Sequence, residues 1–299
     1  MTRLTVHSDR ALNWDASVFE LLKKQIQQIQ RERQRPVIIA ICGGSATGKS
    51  TQVAQSLKKA FDSQALLFHQ DNFQNLPEQL SDLNPRYRQD APENYGFAYL
   101  PKVLEDLRSG RSAEIPKYVF QKRSHEGTQT LTPCDIVLFE GLYSAHSSIV
   151  DKADFVVYVE MRAIGRVLRR SYRGLYERYG RVNFANVFWS FCTSVLAAHM
   201  ECVRKQRDRA DLVIRMPYTF SETLDRFPIT PVMPHAQLPR SGPVIKEYAV
   251  DSESRLQLIG TSGSNWMEVR FTHREQIYFC FTAGPELSNR IMATDWNGV

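Results

Sequence analysis

The chain has 299 residues, 42% of them hydrophobic and 23% charged, which is the composition of a folded globular protein and excludes extensive disorder. Its formal net charge of +6 is mild for this length and favours small anionic ligands over the coating of a nucleic acid. The five scattered cysteines form no C-x-x-C pair, which disfavours a disulfide framework or a zinc site and predicts a reducing compartment.

The amino-terminal part of the chain begins with residues typical of a surface helix and a buried strand. No apolar core of the kind that a signal peptide needs precedes them. Val18, Leu22 and Ile26 recur at helical spacing and predict a helix over residues 15–35. The apolar run Val37–Cys42 predicts a strand buried on both faces and is too short to span a membrane. We therefore expect a soluble cytoplasmic protein without a membrane partner.

Helical and apolar segments then alternate up to residue 216. The further predicted strands are Ala65–His69, Asp135–Glu140, Asp154–Val159 and Asp211–Ile214. The intervening predicted helices include Ser50–Ala60, Tyr99–Arg108 and Ala163–Tyr176. This alternation predicts an α/β fold with a doubly wound parallel sheet, whose ligand site lies where the strands end.

The pattern changes after Met216, where prolines become frequent. Residues 217–243 predict an irregular Pro-rich linker. The following segments VIKEYAV, RLQLI, WMEVRF and QIYFCFT alternate or are rich in β-branched and aromatic residues, and turn residues separate them. We therefore predict an α/β domain at residues 15–216 and a small antiparallel β unit at residues 244–299.

The sequence GGSATGKST carries the sharpest chemical signal. It satisfies the pattern G-x-x-x-x-G-K-[ST] between a buried strand and a helix, the context in which this loop binds phosphates. Lys49 is predicted to contact the β- and γ-phosphates of ATP, and the Ser50 hydroxyl is predicted to bind Mg²⁺. The predicted ATP-binding residues are Gly43, Gly44, Ser45, Ala46, Thr47, Gly48, Lys49, Ser50 and Thr51.

Two acidic residues follow strand-like runs. Asp71 comes just after the second strand and is either a general base for an acceptor hydroxyl or an acid that caps a turn. Glu140 ends the run DIVLFE and is either a magnesium ligand or a cap at a strand end, whereas Asp135 lies at the wrong end of that run. The phosphate-binding loop upstream favours the functional alternative for Glu140.

An arginine-dense segment occupies residues 162–181. Arg166, Arg169, Arg170 and Arg173 recur at spacings of three and four, which places them on one helical face. Such a face is either simply solvated or a lid that neutralises charge during phosphoryl transfer. RNA binding is disfavoured because no aromatic stacking module accompanies the arginines. The nearby aromatic residues Phe188, Trp189 and Phe191 predict core packing, with a wall of the substrate pocket as the alternative.

Several segments in this order resemble the uridine kinase and phosphoribulokinase family over residues 37–214. GGSATGKST is similar to the family's GGSASGKTT, and HQDNF to its S-Q-D-S-F-Y. DAPENY, EIPKYVF, IVLFEGL and RADLVI resemble further family segments. The resemblance implies a P-loop fold like that of nucleoside monophosphate kinases, with Asp71 as the base and Glu140 on magnesium. It also implies that Asp90 holds a ribose and that Tyr118 contacts a nucleoside.

Within residues 37–214 the chain departs from the family pattern in two places, and the β unit after residue 216 has no counterpart in the short uridine kinases. Arg123 stands where uridine kinases carry a histidine that contacts the nucleobase, and His125 follows two residues later. An arginine at position 123 favours an anionic or carbonyl-rich acceptor. Arg170 replaces the aspartate of the family's lid pattern R-R-x-x-R-D.

The resulting interpretation is an ATP- and Mg²⁺-dependent kinase acting on a hydroxyl of a nucleoside or related ribosyl acceptor. Asp71, Lys49, Arg166 and Arg169 are the predicted catalytic residues, and Asp90, Tyr118 and Arg123 the predicted substrate residues. The alternatives are a phosphoribulokinase-, pantothenate- or nicotinamide riboside-like kinase, and a non-catalytic nucleotide-binding regulator. A homo-oligomer is compatible with the sequence.

Overall fold

The computed structural model describes residues 11–83, 88–232, 242–261 and 265–298, without the side chains of residues 178 and 179. In these ranges the strands are β1 (Leu12–Asn13), β2 (Val37–Gly43), β3 (Ala65–His69), β4 (Ala113–Val119), β5 (Ser124–Leu131), β6 (Ile136–Glu140), β7 (Phe155–Glu160), β8 (Leu212–Arg215), β9 (Val244–Ala249), β10 (Ser254–Gly260), β11 (Met267–His273) and β12 (Gln276–Ala283).

The α-helices in the same ranges are α1 (Ala16–Arg33), α2 (Gln55–Phe61), α3 (Pro77–Leu83), α4 (Leu100–Arg108), α5 (Ala163–Arg173), α6 (Phe184–Ser190), α7 (Leu196–Ala198), α8 (Phe220–Arg226) and α9 (Pro285–Ala293). A helical segment with wider turns, Lys49–Ala54, leads directly into α2. None of the helices in the described ranges combines the length and apolar character needed to cross a membrane.

The described residues form two compact units, the first within residues 1–160 and 197–217 and the second within residues 161–196 and 218–299. In the first unit, a six-stranded parallel sheet has the order β1-β8-β7-β2-β6-β3. Every residue of β2, β6 and β7 is buried, because parallel strands in a doubly wound sheet are covered on both faces. The predicted parallel α/β sheet is therefore confirmed, as are its five predicted strands, to within a residue or two at their ends.

Helix α1 shows how local chemistry sets the element boundaries. The Asp15 carboxylate accepts hydrogen bonds from the backbone N–H groups of Ser17 and Val18 at 2.8 and 2.9 Å, which caps the helix. Gln34 then adopts a left-handed conformation with φ 51° and ends it. Helix α4 similarly buries Leu100, Val103, Leu104 and Leu107 against the apolar side chains of β2 and β6.

The second unit is built on a four-stranded antiparallel sheet with the order β12-β11-β10-β9, which confirms the predicted β unit. Residues 161–196, which the sequence interpretation assigned to the kinase domain, group with this sheet. The reason is an aromatic core: Phe184 stacks on Phe279 at 4.1 Å between ring centroids, and Phe188 contacts both Phe281 and Trp296. The predicted domain boundaries stay a prediction.

Two further expectations for the second unit need correction. Phe188 and Phe191 are fully buried as predicted, but Trp189 is 37% exposed and lies under the Arg290 guanidinium. The predicted irregular linker contains α8, because Thr219 caps that helix and Phe220 is fully buried. Residues 233–241 of the linker lie outside the described residues.

Candidate active site

The predicted phosphate-binding loop leaves the end of β2 in the first unit. Gly43 has φ 139°, and a Cβ there would lie 2.1 Å from the Val159 carbonyl oxygen, so only glycine fits between β2 and β7. Gly48 has φ 93° immediately before the helical segment that Lys49 begins. The Thr47 hydroxyl donates to the Gly44 carbonyl at 3.0 Å and tightens the loop. The backbone thus turns sharply from a buried strand into a helix.

Three strand ends meet beside this loop. Strand β6 lies between β2 and β3, and Glu140 is paired in register with Ile41 on one side and His69 on the other. The carboxyl ends of parallel strands share one edge of a sheet. The residues that follow β2, β3 and β6 are therefore neighbours in space although they are far apart in the sequence.

Glu140 is the centre of a buried polar network. The Ser50 hydroxyl donates to Glu140 Oε1 at 2.8 Å, and Lys49 Nζ lies 3.7 Å from the same oxygen. His69 Nδ1 lies 2.6 Å from the other oxygen, Oε2. Lys49 Nζ also donates to the Gly44 carbonyl at 3.3 Å, so its charge lies over the loop.

These contacts keep Glu140 ionised. Burial alone would raise the pKa of its carboxyl, but the hydrogen bond with His69, the charges of Lys49 and His69 and the hydrogen bond from Ser50 together hold the pKa below its usual value. The hydrogen bond to Glu140 in turn raises the pKa of His69, although burial opposes this. The Glu140 carboxylate and the Ser50 hydroxyl therefore lie side by side at the carboxyl end of β6.

This donor set fits magnesium and a nucleoside triphosphate. Mg²⁺ prefers oxygen ligands and is usually held by one or two protein groups together with substrate phosphates. Ser50 Oγ and Glu140 supply two such oxygens, and Lys49 supplies a cation for the phosphates. In the described ranges there is no cluster of three or more His, Cys, Asp or Glu side chains that could hold a metal alone. Shared coordination with the phosphates is therefore the arrangement that the site suits.

Asp71 lies in a short helical turn, Gln70–Phe73, directly after β3. Its side chain is half-buried, and its charge contributes to the raised pKa of His69. The pKa of Tyr95 is also raised, first by burial and then by the charges of Asp71 and Asp90. The charges of both predicted carboxylates therefore act on one buried phenol.

Gln70 is a residue that sequence reasoning missed. It is fully buried, and its side-chain oxygen accepts a hydrogen bond from the Tyr143 N–H at 2.8 Å. A Cβ at Gly141 would lie 2.3 Å from Gln70, so the glycine after Glu140 allows the two loops to approach. Gln70 thus fixes the Asp71 turn against the loop that follows β6. The glutamine between His69 and Asp71 and the glycine after Glu140 were the available signals.

The predicted substrate residues lie on a loop and on the hairpin β4–β5. Tyr118 and His125 pair across the hairpin, with ring centroids 5.6 Å apart. The Tyr118 N–H donates to the Asn72 side-chain oxygen at 3.3 Å, which ties the hairpin to the residue after Asp71. Arg123 is exposed in the turn with φ 52° and does not pair with Tyr118. His125, not Arg123, thus lies opposite the tyrosine.

A hydrogen bond to the backbone carbonyl of Asp90 fixes the loop that carries this residue. Asp90 has φ 61°, and its carbonyl accepts a hydrogen bond from the Tyr143 hydroxyl at 2.5 Å. Tyr143 contacts Tyr95 edge-on, with ring centroids 5.7 Å apart. Sequence reasoning did not single out Tyr143, which connects the loop after β6 to the Asp90 loop.

The two predicted catalytic arginines lie on α5 of the second unit. The Arg166 guanidinium lies 5.5 Å from the centre of the Phe191 ring. The Arg169 guanidinium lies 5.4 Å from the Tyr218 ring and 3.3 Å from a Glu222 carboxylate oxygen, and burial lowers its pKa. Their role in phosphoryl transfer stays a prediction.

Comparison with known proteins gives one consistent family. Residues 38–220 match the model of the phosphoribulokinase / uridine kinase family. A uridine kinase from Macrococcus caseolyticus is 30% identical over 183 residues, 60% of this chain and 88% of that protein. Uridine-cytidine kinase B from Dictyostelium discoideum is 28% identical over 184 residues, 60% of this chain and 75% of that protein.

Solved structures show the same fold at lower identity. A Silicibacter sp. TM1040 protein described as a fructose transport system kinase matches with a TM-score of 0.53 and 19% identity, over 67% of this chain and 98% of that one. A circularly permuted P-loop protein from Saccharomyces cerevisiae has the same TM-score at 11% identity, over 67% of this chain and 99% of that one.

Proposed function

The chain belongs to the phosphoribulokinase / uridine kinase family of P-loop kinases, and we propose that it transfers the γ-phosphoryl group of ATP to a hydroxyl of a pyrimidine nucleoside. The observation that carries this proposal is the joined set of Lys49, Ser50 and Glu140, with the Asp71 turn beside it. Two relatives, a uridine kinase and a uridine-cytidine kinase, support the choice of a pyrimidine nucleoside as the acceptor.

The residues of the first unit have separable tasks in this reaction. Mg²⁺, when bound by Ser50 and Glu140, would neutralise charge on the phosphates. Lys49 would hold the β- and γ-phosphates, and the loop N–H groups would bind their oxygens. Asp71 would accept the proton of the acceptor hydroxyl, since it is the acidic residue next to the network. Rate acceleration would come mainly from positioning and electrostatics.

We propose that Asp90, Tyr118 and His125 bind the acceptor. Asp90 has the charge and the held backbone to bind ribose hydroxyls. Tyr118 and His125 lie opposite each other across the hairpin with their rings edge-on. Together they offer aromatic surface and hydrogen-bonding groups to a nucleobase. The hairpin is linked through Asn72 to the turn that carries Asp71. One continuous set of contacts would therefore align the acceptor with Asp71, its general base.

The experiment that tests this function is ATP consumption by the full chain with Mg²⁺ against a panel of acceptors. The panel is uridine, cytidine, nicotinamide riboside, pantothenate and ribulose 5-phosphate. We expect uridine or cytidine to stimulate turnover. Stimulation by another member would keep the kinase and change the acceptor, whereas nucleotide binding without any stimulation would favour a regulator.

The hairpin gives a second prediction, which separates His125 from Arg123. His125→Ala is expected to raise the KM for the acceptor about tenfold, the cost of one lost hydrogen bond of about 1.4 kcal/mol, with a smaller change in kcat. Arg123→Ala is the matched control from the same hairpin, and its exposed turn position predicts a KM close to that of the parent. The opposite ranking in steady-state kinetics would assign acceptor binding to Arg123.

A further inference from the structure

His69 is a chemical feature that the proposed reaction does not yet use. It occupies the first position of the segment HQDNF, where the similar family segment has serine. It is the last residue of β3 and lies directly beside Glu140 in the parallel register. The His69 side chain is 40% exposed, so packing alone does not explain a histidine at this strand end beside a buried carboxylate.

The two oxygens of Glu140 are held by different partners. Oε1 accepts the Ser50 hydroxyl at 2.8 Å and has Lys49 Nζ at 3.7 Å, whereas Oε2 has His69 Nδ1 at 2.6 Å. An ionised carboxylate can only accept, so Nδ1 of His69 carries the proton of this hydrogen bond. In the described ranges His69 supplies the hydrogen bond to Oε2, and together with Ser50 at Oε1 it restricts the rotation of the carboxyl group about its final bond.

The position of Nδ1 on the side chain matters for this contact. Nδ1 is three bonds from the histidine Cα, whereas a serine hydroxyl is only two bonds from it. The imidazole therefore reaches across the spacing between β3 and β6, which in a parallel sheet is about 4.8 Å. Hydrogen-bond partners that orient a metal-binding carboxylate commonly change metal affinity about 10- to 100-fold when they are removed.

We propose that His69 is a positioning residue for the magnesium site: its Nδ1–H holds Oε2 of Glu140 so that the carboxylate is presented to the metal in one orientation. This inference rests on the proposed function, because it takes Glu140 as a magnesium ligand. It assigns no bond to the metal from His69 itself.

The test uses an isosteric pair of substitutions in the full-length protein. Asparagine places an amide nitrogen three bonds from Cα, like Nδ1, and leucine has the same branched shape without a donor. We would titrate His69→Asn, His69→Leu and the parent with ADP by calorimetry, with Mg²⁺ and with EDTA. The ratio of the two affinities measures metal binding independently of turnover.

We expect His69→Leu to lose about tenfold or more of the Mg²⁺-dependent gain in ADP affinity and to keep the affinity seen in EDTA. The retained affinity in EDTA shows that the loop is folded. His69→Asn is expected to recover most of the lost gain. Ser50→Ala, which removes a proposed ligand, gives the reference for a damaged metal site.

The outcomes separate this inference from the proposed function. If the parent binds ADP equally with Mg²⁺ and with EDTA, the proposed magnesium site itself fails. If the parent depends on Mg²⁺ and His69→Leu depends on it equally, only the inference about His69 is overturned. If His69→Asn is as weak as His69→Leu, a single donated hydrogen bond does not explain the role of the histidine, and the proposal is again overturned.

Discussion

Asp71→Asn is expected to lower kcat with the best acceptor by about 10²- to 10⁴-fold, the usual contribution of a general base. The amide keeps the shape of the side chain and removes its ability to take a proton. Nucleotide affinity is expected to stay near that of the parent, because the loop, Lys49, Ser50 and Glu140 are unchanged. Single-turnover measurement of phosphorylated acceptor, with nucleotide binding measured in parallel, checks both parts.

Asp82→Asn is the matched control for this prediction. Asp82 is an exposed carboxylate on α3, and the same chemical change there removes a charge without touching the site. If Asp71→Asn keeps more than about a tenth of the parent rate, Asp71 is a turn residue and not a general base. That result would restore the simpler alternative that the sequence left open.

Local chemistry determines the backbone conformation at several predicted site residues. The phosphate-binding loop needs Gly43 where β2 and β7 approach and Gly48 where the helix begins, and both glycines are visible in the motif. The wholly apolar run of β2 predicts a strand covered on both faces. Glu140 follows from the same reasoning because it ends such a run.

The parts that sequence reasoning missed depend on the order of strands and on the register of a hairpin. His69 meets Glu140 only because β3 lies next to β6, and nothing within HQDNF encodes that neighbour. The hairpin β4–β5 contains a proline, and most of its residues are polar or exposed, so its two strands give only a weak periodic signal. The pairing of Tyr118 with His125 follows from the turn at Arg123, whose positive φ the sequence does not announce.

The contacts of residues 161–196 likewise involve residues that are far away in the sequence. The sequence interpretation places residues 161–196 in the kinase domain, because the predicted helix Ala163–Tyr176 continues the alternation of strands and helices. Their core partners are residues near the end of the chain: Phe188 and Phe191 pack against Trp296. The first two N–H groups of α5, from Ala163 and Ile164, donate to the carbonyls of Gly298 and Trp296. Such partners satisfy a helix start without any capping residue in the local sequence.

Trp296→Ala is therefore expected to destabilise the second unit by about 3–5 kcal/mol, the cost of removing a large buried aromatic side chain. Trp296 is 1% exposed, and its rings face Phe188, Phe191 and Tyr248. Its indole N–H donates to the Ile291 carbonyl at 2.9 Å and would be replaced by a cavity with an unsatisfied acceptor. Urea unfolding of the full chain followed by far-ultraviolet circular dichroism measures the change.

Trp266→Ala is the control, because Trp266 is 50% exposed and its loss is expected to change the free energy of unfolding by no more than about 0.5 kcal/mol. Trp296→Phe should lie between the two, since it keeps ring contacts and loses the indole hydrogen bond. Equal destabilisation by both alanine variants would mean that the core of this unit does not centre on Trp296. A much larger loss of unfolding free energy in Trp296→Ala than in Trp266→Ala would show that Trp296 and its neighbours stabilise α5. Residues after 283 would then be needed to fold the helix that bears Arg166 and Arg169.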